Sequence, residues 1–206
     1  MGYLLSALYV LGLYSAYLAG SLYLRTKSAT FRLPWATLVL LLVVGVPTTL
    51  QFFFPVLLPL LQRDTSQILQ GEWWRIVTAL FAQDGGVAGA VFNVVSLLLV
   101  GAVAEQFWDS RQIFALFFVG GILAQVIAFA WQPIGAGNSV ANFNLAAGIA
   151  VACILRRPPR PIQFLTLLPF VIYLVLIALR DIHGPAGMIG AVLALIFSRM
   201  GQRKDQ

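Results

Sequence analysis

The 206-residue chain is too apolar for a soluble domain: 60% of its residues are hydrophobic and only 10% are charged. Its single cysteine, Cys153, lies in an apolar run, which excludes an internal disulfide and a thiolate metal site. The net charge of +6 does not indicate nucleic-acid binding, because the basic residues fall in short loops between apolar segments. The composition therefore predicts a multi-pass membrane protein.

Seven apolar segments qualify, or nearly qualify, as membrane-spanning helices, which need about 20 mostly apolar residues. They are residues 3–24, 36–61, 86–104, 112–131, 139–155, 162–179 and 184–199. Pro47, Pro55 and Pro59 predict a kink or an early end in the second segment. The predicted fold class is an all-α integral membrane protein.

The first segment differs from a secretory signal, because no basic residue precedes it and several follow it from Arg25 onward. We interpret residues 1–33 as a retained transmembrane helix followed by a basic cytoplasmic loop. Tyr9 and Tyr17 would lie at bilayer depth, where a hydroxyl needs a hydrogen-bond partner. That partner belongs either to another helix of this chain or to another subunit.

The basic residues predict the orientation. One side of the membrane receives ten of them and the other side three, and the positive-inside rule makes the first side cytoplasmic. The two groups are Arg25, Lys27, Arg32, Arg111, Arg156, Arg157, Arg160, Arg199, Arg203 and Lys204 against Arg63, Arg75 and Arg180. The N-terminus is then predicted to be outside and the C-terminus inside. We expect the membrane to be a bacterial inner membrane or an equivalent one.

Residues 62–85, on the predicted outer side, are too apolar for a free loop. Trp73 and Trp74, followed by Arg75, are typical of an amphipathic element in the membrane interface. We therefore expect these three residues to be interfacial.

Three stretches resemble the rhomboid intramembrane proteases. Gly71–Phe81 resembles the Trp-Arg signature of the first rhomboid loop, and Val91–Ser96 resembles the second core helix. Asn138–Gly148 resembles the segment that carries the nucleophilic serine, with Ala-Asn-Phe-Asn in place of Gly-x-Ser-Gly. The resemblance implies a six-helix core over residues 34–200, preceded by one extra helix and followed by a short cytoplasmic tail, 201–206.

The resemblance also implies where the catalytic groups fall. Rhomboid proteases use a serine nucleophile, a histidine base, and a histidine and an asparagine that stabilise the oxyanion. Their positions are occupied here by Phe143, His183, Gly89 and Asn93, respectively. Because a phenyl ring cannot attack a carbonyl, we predict a pseudoprotease with no catalytic residue and four vestigial positions.

A displaced serine offers an alternative. Ser139 precedes Phe143 by one helical turn, a displacement of about 5.4 Å, and proton transfer needs a separation of about 3 Å. This displacement is too large for proton transfer and argues against Ser139, so an active protease that uses Ser139 and His183 is only the second hypothesis. His183 is otherwise interpreted as a polar residue at a helix end beside Arg180 and Asp181, and Asn93 as an interhelical hydrogen-bond donor.

Small residues at helical spacing predict close helix packing. The candidates are Gly85, Gly89, Ala186, Gly187 and Gly190. Phe143 is expected to pack against the last three of these and to leave the former cleft closed and dry.

The leading functional hypothesis is a non-catalytic membrane protein that binds transmembrane helices or serves as a subunit of a larger membrane complex. Inactive rhomboid relatives hold, escort or route membrane clients, so the resemblance implies this class. A transporter is disfavoured because charges within the spans are nearly absent, and Glu105 and Arg111 lie at helix ends. The expected partners are the lipid bilayer and transmembrane helices of other proteins. We expect no cofactor and no metal, because one histidine forms no ligand pattern.

Overall fold

The computed structural model describes residues 2–28 and 30–202, and helices dominate these residues. In chain order the elements are α1 (Gly2–Thr26), α2 (Trp35–Phe53), α3 (Leu57–Leu61), β1 (Arg63–Asp64), α4 (Thr65–Leu69), α5 (Arg75–Thr78), α6 (Gly86–Ala104), α7 (Ser110–Phe114), a π-helical stretch (Ala115–Val119), α8 (Gly120–Ile127), a 3-10 turn (Ala128–Ala130), β2 (Ile134–Gly135), α9 (Ser139–Leu155), α10 (Arg160–Ala178) and α11 (His183–Gln202).

Five helical segments among the described residues are long and apolar enough to cross a membrane: α1, α2, α6, the continuous helix Ser110–Ala130, and α10. The apolar helix α9 has 17 residues, and α11 occupies the last predicted span. The chain is an all-α integral membrane protein, as predicted from its composition. The count of seven spans, the orientation and the division at residues 33 and 200 stay predictions. The C-terminal residues 203–206 lie outside the described residues.

Prolines shape the second span as the sequence predicts. The helix α2 continues through Pro47 and ends at Phe53, because the residue before Pro55 is sterically pushed out of the helical conformation. A short helix, α3, resumes at Leu57.

The centre of the bundle is α9, which packs against α1, α6, α8, α10 and α11. Its residues from Val140 to Cys153 are all buried. The closest approach is to α11, where a Cβ added to Gly190 would lie 2.5 Å from the Cα of Asn144. Small side chains along α9 and α11 thus let the two backbones nearly touch.

The extra helix α1 is an integral part of the bundle. It packs against α6, α9 and α10, so it extends from α6 to α10 across the face of α9. A Cβ added to Gly12 would lie 3.1 Å from the Phe143 ring, and one added to Gly20 would lie 2.6 Å from Ile149. These contacts are with residues of the helix that also carries Ser139.

The loops gather at two opposite ends of the bundle. At one end, the guanidinium of Arg32 donates to the Glu105 carbonyl (3.1 Å), and the Glu105 carboxylate accepts the N–H groups of Ala36 and Thr37 at the start of α2 (2.8 and 2.9 Å). At the other end, β1 and β2 pair antiparallel and join residues 62–85 to the segment before α9.

Arg75, which was predicted to be interfacial, is enclosed by the protein, and its depth in the membrane stays a prediction. Its guanidinium is buried and donates to the carbonyls of Pro59 (2.6 Å) and Gln62 (3.1 Å), while its Nε donates to Glu72 (2.6 Å). Arg75 therefore ties α3 to α5 within the loop. The neighbouring tryptophans, Trp73 and Trp74, are more than half exposed, and their interfacial role stays a prediction.

Candidate active site

A tight turn delivers Ser139 to the start of α9. Gly137 has φ +155°, and its N–H donates to the Ala79 carbonyl (2.8 Å). A Cβ at this position would lie 3.3 Å from Ser139 Oγ and 3.5 Å from Asn93 Nδ2. Glycine thus keeps open a space that is bordered by the serine hydroxyl and the asparagine amide.

Ser139, His183 and Asp181 form a chain of hydrogen bonds. Ser139 Oγ lies 2.8 Å from His183 Nε2, and His183 Nδ1 lies 2.7 Å from Asp181 Oδ1. Asp181 also accepts the His183 backbone N–H (2.9 Å), so it satisfies a free donor at the start of α11. Both residues are buried, with 9% of His183 and 2% of Asp181 exposed.

The environment keeps Asp181 ionised. Burial by itself would raise the pKa of this carboxyl, but the hydrogen bonds from His183 and Tyr9 outweigh it and bring the pKa below its usual value. An ionised carboxylate can only accept hydrogen bonds. In the neutral imidazole, the proton on Nδ1 then faces Asp181, and Nε2 can accept the Ser139 hydroxyl proton.

A cavity of about 710 Å³ opens beside these residues and is lined, among others, by Ser6, Asp84, Gly89, Asn93, Ser139 and His183. The prediction of a closed, dry cleft is therefore wrong. Gly89 was also predicted to pack helices, but a Cβ there would meet nothing within 4 Å. Gly85 likewise lines the cavity, and its added Cβ would contact only Gly89.

Asn93 is held beside the cavity by a network of buried amides. Its Nδ2 donates to Gln83 Oε1 (2.7 Å), and Gln83 Nε2 donates to Asn138 Oδ1 (2.8 Å). The Asn93 carbonyl accepts from Asn142 Nδ2 (2.9 Å). The network joins α6 to α9, and it fixes an amide N–H₂ group next to Ser139.

Similarity to known proteins identifies the family. A model of the rhomboid domain matches residues 70–204. The chain belongs to the rhomboid family. The rhomboid protease GluP of Bacillus subtilis (strain 168) is 29% identical over 96 residues, which cover 46% of this chain and 19% of that protein. The aligned part thus represents less than a fifth of that relative.

Within the rhomboid domain, the serine of the hydrogen-bonded pair is Ser139 and not a residue at position 143. The distance argument against Ser139 is wrong, because Ser139 begins α9, His183 begins α11, and both helices begin at the same end of the bundle. Their first-turn side chains therefore meet. The sequence did contain the signal: Gly137-Asn138-Ser139 has the order Gly-x-Ser, and only Val140 departs from the rhomboid Gly-x-Ser-Gly pattern.

Phe143 lies one turn deeper than Ser139 and is fully buried. Its ring centroid is 4.9 Å from that of His183, 5.7 Å from Tyr173 and 6.0 Å from Tyr9. It therefore forms the floor of the site beneath the imidazole.

At the glycines of α11, the atoms nearest to an added Cβ belong to residues other than Phe143. A Cβ added to Gly187 would lie 2.5 Å from the Tyr173 ring, and one added to Gly190 would meet the Asn144 backbone. Ala186, on the same helix, is fully buried. Gly187 thus makes room for the Tyr173 ring of α10 and Gly190 for the backbone of α9, while Phe143 contacts α11 at His183. The packing of Phe143 near Ala186 stays a prediction.

Two charged residues, Arg63 and Asp84, also line the cavity. The sequence analysis used Arg63 only to predict topology and gave Asp84 no role at the site. Burial lowers the pKa of the Arg63 guanidinium to about 10, so it remains charged at neutral pH. Arg63 Nε donates to the Gln132 carbonyl (3.1 Å), and Asp84 accepts the Ala136 N–H (2.9 Å). Both residues thereby fix the segment that precedes α9.

The described residues contain no group of three or more His, Cys, Asp or Glu side chains that could hold a metal ion. The groups that line the cavity are serine hydroxyls, a phenol, an imidazole, a carboxylate, a guanidinium and several amides.

Proposed function

We propose that this rhomboid protein is an intramembrane serine protease in which Ser139 is the nucleophile and His183 the general base. The observation that carries the proposal is the 2.8 Å contact between Ser139 Oγ and His183 Nε2 at the wall of a cavity. This distance lies within the range that proton transfer requires. The match to a relative described as a rhomboid protease supports the same reaction class.

The reaction would begin with transfer of the Ser139 hydroxyl proton to His183 Nε2 as Oγ attacks the peptide carbonyl. The negative charge that forms on the carbonyl oxygen needs hydrogen-bond donors. Asn93 Nδ2 borders the space next to Ser139 Oγ. The first turn of α9, which Ser139 begins, adds backbone N–H groups that a helix leaves without an internal partner. His183 then returns the proton to the leaving amine, and water hydrolyses the acyl-enzyme.

The cavity supplies what such a reaction needs inside a membrane protein. Its volume of about 710 Å³ admits water together with part of an extended polypeptide. The substrate class that fits is the peptide bond of a transmembrane or juxtamembrane segment. Phe143 supports catalysis as the apolar floor under His183, and its presence does not argue against activity.

The decisive experiment uses a fluorescent fluorophosphonate, which reacts covalently with activated serines, and a reporter transmembrane helix as substrate. Wild-type protein in detergent should be labelled and should cleave the reporter, and Ser139→Ala should lose both activities. Ser6→Ala is the matched control, because Ser6 also lines the cavity but lies on α1 and donates only to the Gly2 carbonyl (3.1 Å). It should retain labelling.

Absence of labelling in the folded wild-type protein would overturn the protease proposal. Labelling that survives in Ser139→Ala would show that another serine reacts and would overturn the assignment of the nucleophile.

Non-catalytic binding of transmembrane helices is the second candidate function. It is favoured by Gly89, which provides no side chain where the family resemblance implies an oxyanion histidine, and by α1, which covers α9 between α6 and α10. A binding protein should co-purify with the same membrane proteins whether or not Ser139 is replaced. If the protein is a protease, uncleaved substrates should co-purify with Ser139→Ala in larger amounts than with the wild type.

A further inference from the structure

Tyr9 brings the extra helix α1 into contact with the Ser139–His183 pair. Its hydroxyl donates to Asp181 Oδ2 at 2.5 Å, and its ring centroid lies 4.3 Å from the His183 ring. Tyr9 also lines the cavity. Residue 9 lies outside the part of the chain that matches the rhomboid domain, which begins at residue 70.

The two oxygens of Asp181 have separate partners. Oδ1 accepts both N–H groups of His183, from the backbone and from Nδ1, and Oδ2 accepts the hydroxyl of Tyr9. Capping of α11 requires only Oδ1. The Tyr9 contact therefore has no part in starting the helix, and what it fixes is the rotation of the carboxylate that faces the imidazole.

We propose that Asp181 and Tyr9 are positioning residues of the protease site. Asp181 holds the His183 proton on Nδ1 and stabilises the imidazolium that forms when Nε2 takes the Ser139 proton. Tyr9 fixes the carboxylate through Oδ2 and restrains the imidazole by ring contact. The active centre is then a relay of four residues, in the order Ser139, His183, Asp181 and Tyr9, and its last member comes from the extra helix. This inference rests on the proposed protease function.

The geometry favours this role over simple satisfaction of a buried hydroxyl. A tyrosine hydroxyl at bilayer depth requires some partner, and a backbone carbonyl would suffice. Tyr14, on the same helix, has a partner outside the site, because its hydroxyl lies 3.3 Å from the Ser96 hydroxyl. Tyr9 instead contacts both Asp181 and His183, the two residues that follow the nucleophile in the relay.

The first test is Tyr9→Phe, which removes one oxygen and keeps the ring. We expect kcat for the reporter helix and the rate of fluorophosphonate labelling to fall about tenfold, with KM unchanged, because a weakened base raises the barrier of the chemical step alone. Tyr14→Phe is the matched control, since it removes the same group from the same helix. It should react at the wild-type rate.

The second test is Asp181→Asn, which removes the charge and preserves the cap, because asparagine and aspartate are equally good at helix N-termini. We expect kcat to fall by about 10²–10⁴ with little change in melting temperature. A merely structural role for Asp181 would change the melting temperature and leave kcat of the folded fraction intact.

The outcomes separate this inference from the proposed function. If the wild-type protein neither reacts with the fluorophosphonate nor cleaves, the protease proposal fails. If it does both and Tyr9→Phe and Asp181→Asn match its kcat, the relay is overturned and the protease stands. If only Asp181→Asn loses activity, the contribution of Tyr9 is overturned. Should Asp181→Asn fail to fold, Tyr9→Phe decides the question by itself.

Discussion

Gly89 faces the open part of the cavity on the same helix as Asn93, and a side chain added there would meet no other atom within 4 Å. We predict that Gly89→His raises kcat of the reporter reaction about tenfold or more by adding a donor for the oxyanion. Loss of one such donor in a serine protease costs about 10²–10³ in kcat.

The matched control is Gly89→Phe, which places a ring of similar shape in the same space without an N–H group. Its kcat should not exceed that of the wild type. An equal rise in both variants would mean that filled space, and not hydrogen bonding, causes the effect.

Phe143 forms the floor of the site, and its removal should weaken the whole bundle. Phe143→Ala should lower the free energy of unfolding by about 3–5 kcal/mol, because it leaves a cavity between α1, α9 and α10. Phe164→Ala is the control, since Phe164 on α10 is 68% exposed and faces away from the core. Thermal unfolding in detergent measures both variants, and equal melting temperatures would contradict the packing described for Phe143.

At the scale of single residues, the sequence narrowed the site to a few positions but did not select among them. Ser139 and Phe143 are four residues apart, so both lie on one face of α9 and spacing alone cannot say which one meets His183. The choice depends on where α11 begins relative to α9. The relative position of the two helices is a feature of the tertiary structure, and the close approach at Gly190 helps to determine it. Tyr9 could not be assigned at all, because its partner is distant in sequence.

At the scale of elements, the contact between α9 and α11 is a specific feature of this bundle. We predict that Gly190→Ala destabilises the protein by about 1–3 kcal/mol, because its Cβ would lie 2.5 Å from the Asn144 backbone, which cannot easily move. The loss should appear as a lower melting temperature.

Gly45→Ala is the control for Gly190→Ala. Gly45 lies within α2, and a Cβ there would meet nothing within 4 Å. Alanine is the better helix former, so this change should stabilise the helix by about 0.5–1 kcal/mol. If Gly45→Ala and Gly190→Ala changed the melting temperature equally, close packing of α9 on α11 would be contradicted.

The long helices were predictable from hydropathy and the short elements were not. The predicted spans 86–104 and 139–155 coincide with α6 and α9, because long apolar runs in lipid must satisfy their backbone groups as helices. Residues 62–85 instead contain β1, α4 and α5, whose form depends on side-chain contacts. Arg75 and Asp64, which caps α4, determine that form through buried or capping hydrogen bonds that no periodicity reveals.

At the scale of the whole molecule, the loops predicted to be cytoplasmic lie together at one end. Arg32 contacts Glu105, and the Arg156 guanidinium lies 5.0 Å from the centre of the Phe107 ring. In a Cys153→Ala background, we expect Ser28→Cys to be labelled by a membrane-impermeant thiol reagent only from the cytoplasm.

The same topology prediction places Gln206, outside the described residues, on the side of Ser28. A cysteine at Leu69, an exposed residue of α4, should react only from the opposite side. Labelling of the Ser28 and Gln206 positions from different sides would refute the seven-span arrangement.

The hydrogen bond between Tyr9 and Asp181 joins residues that are 172 positions apart in the chain. During synthesis α1 emerges before α11, and α11 can enter the membrane only after the helices between them have been made. The relay therefore cannot form around a partly made chain, and the serine would gain its full reactivity only as the bundle closes. The order of synthesis would then protect other membrane proteins from premature cleavage. An incomplete chain in the bilayer would carry the nucleophile without the residues that activate it.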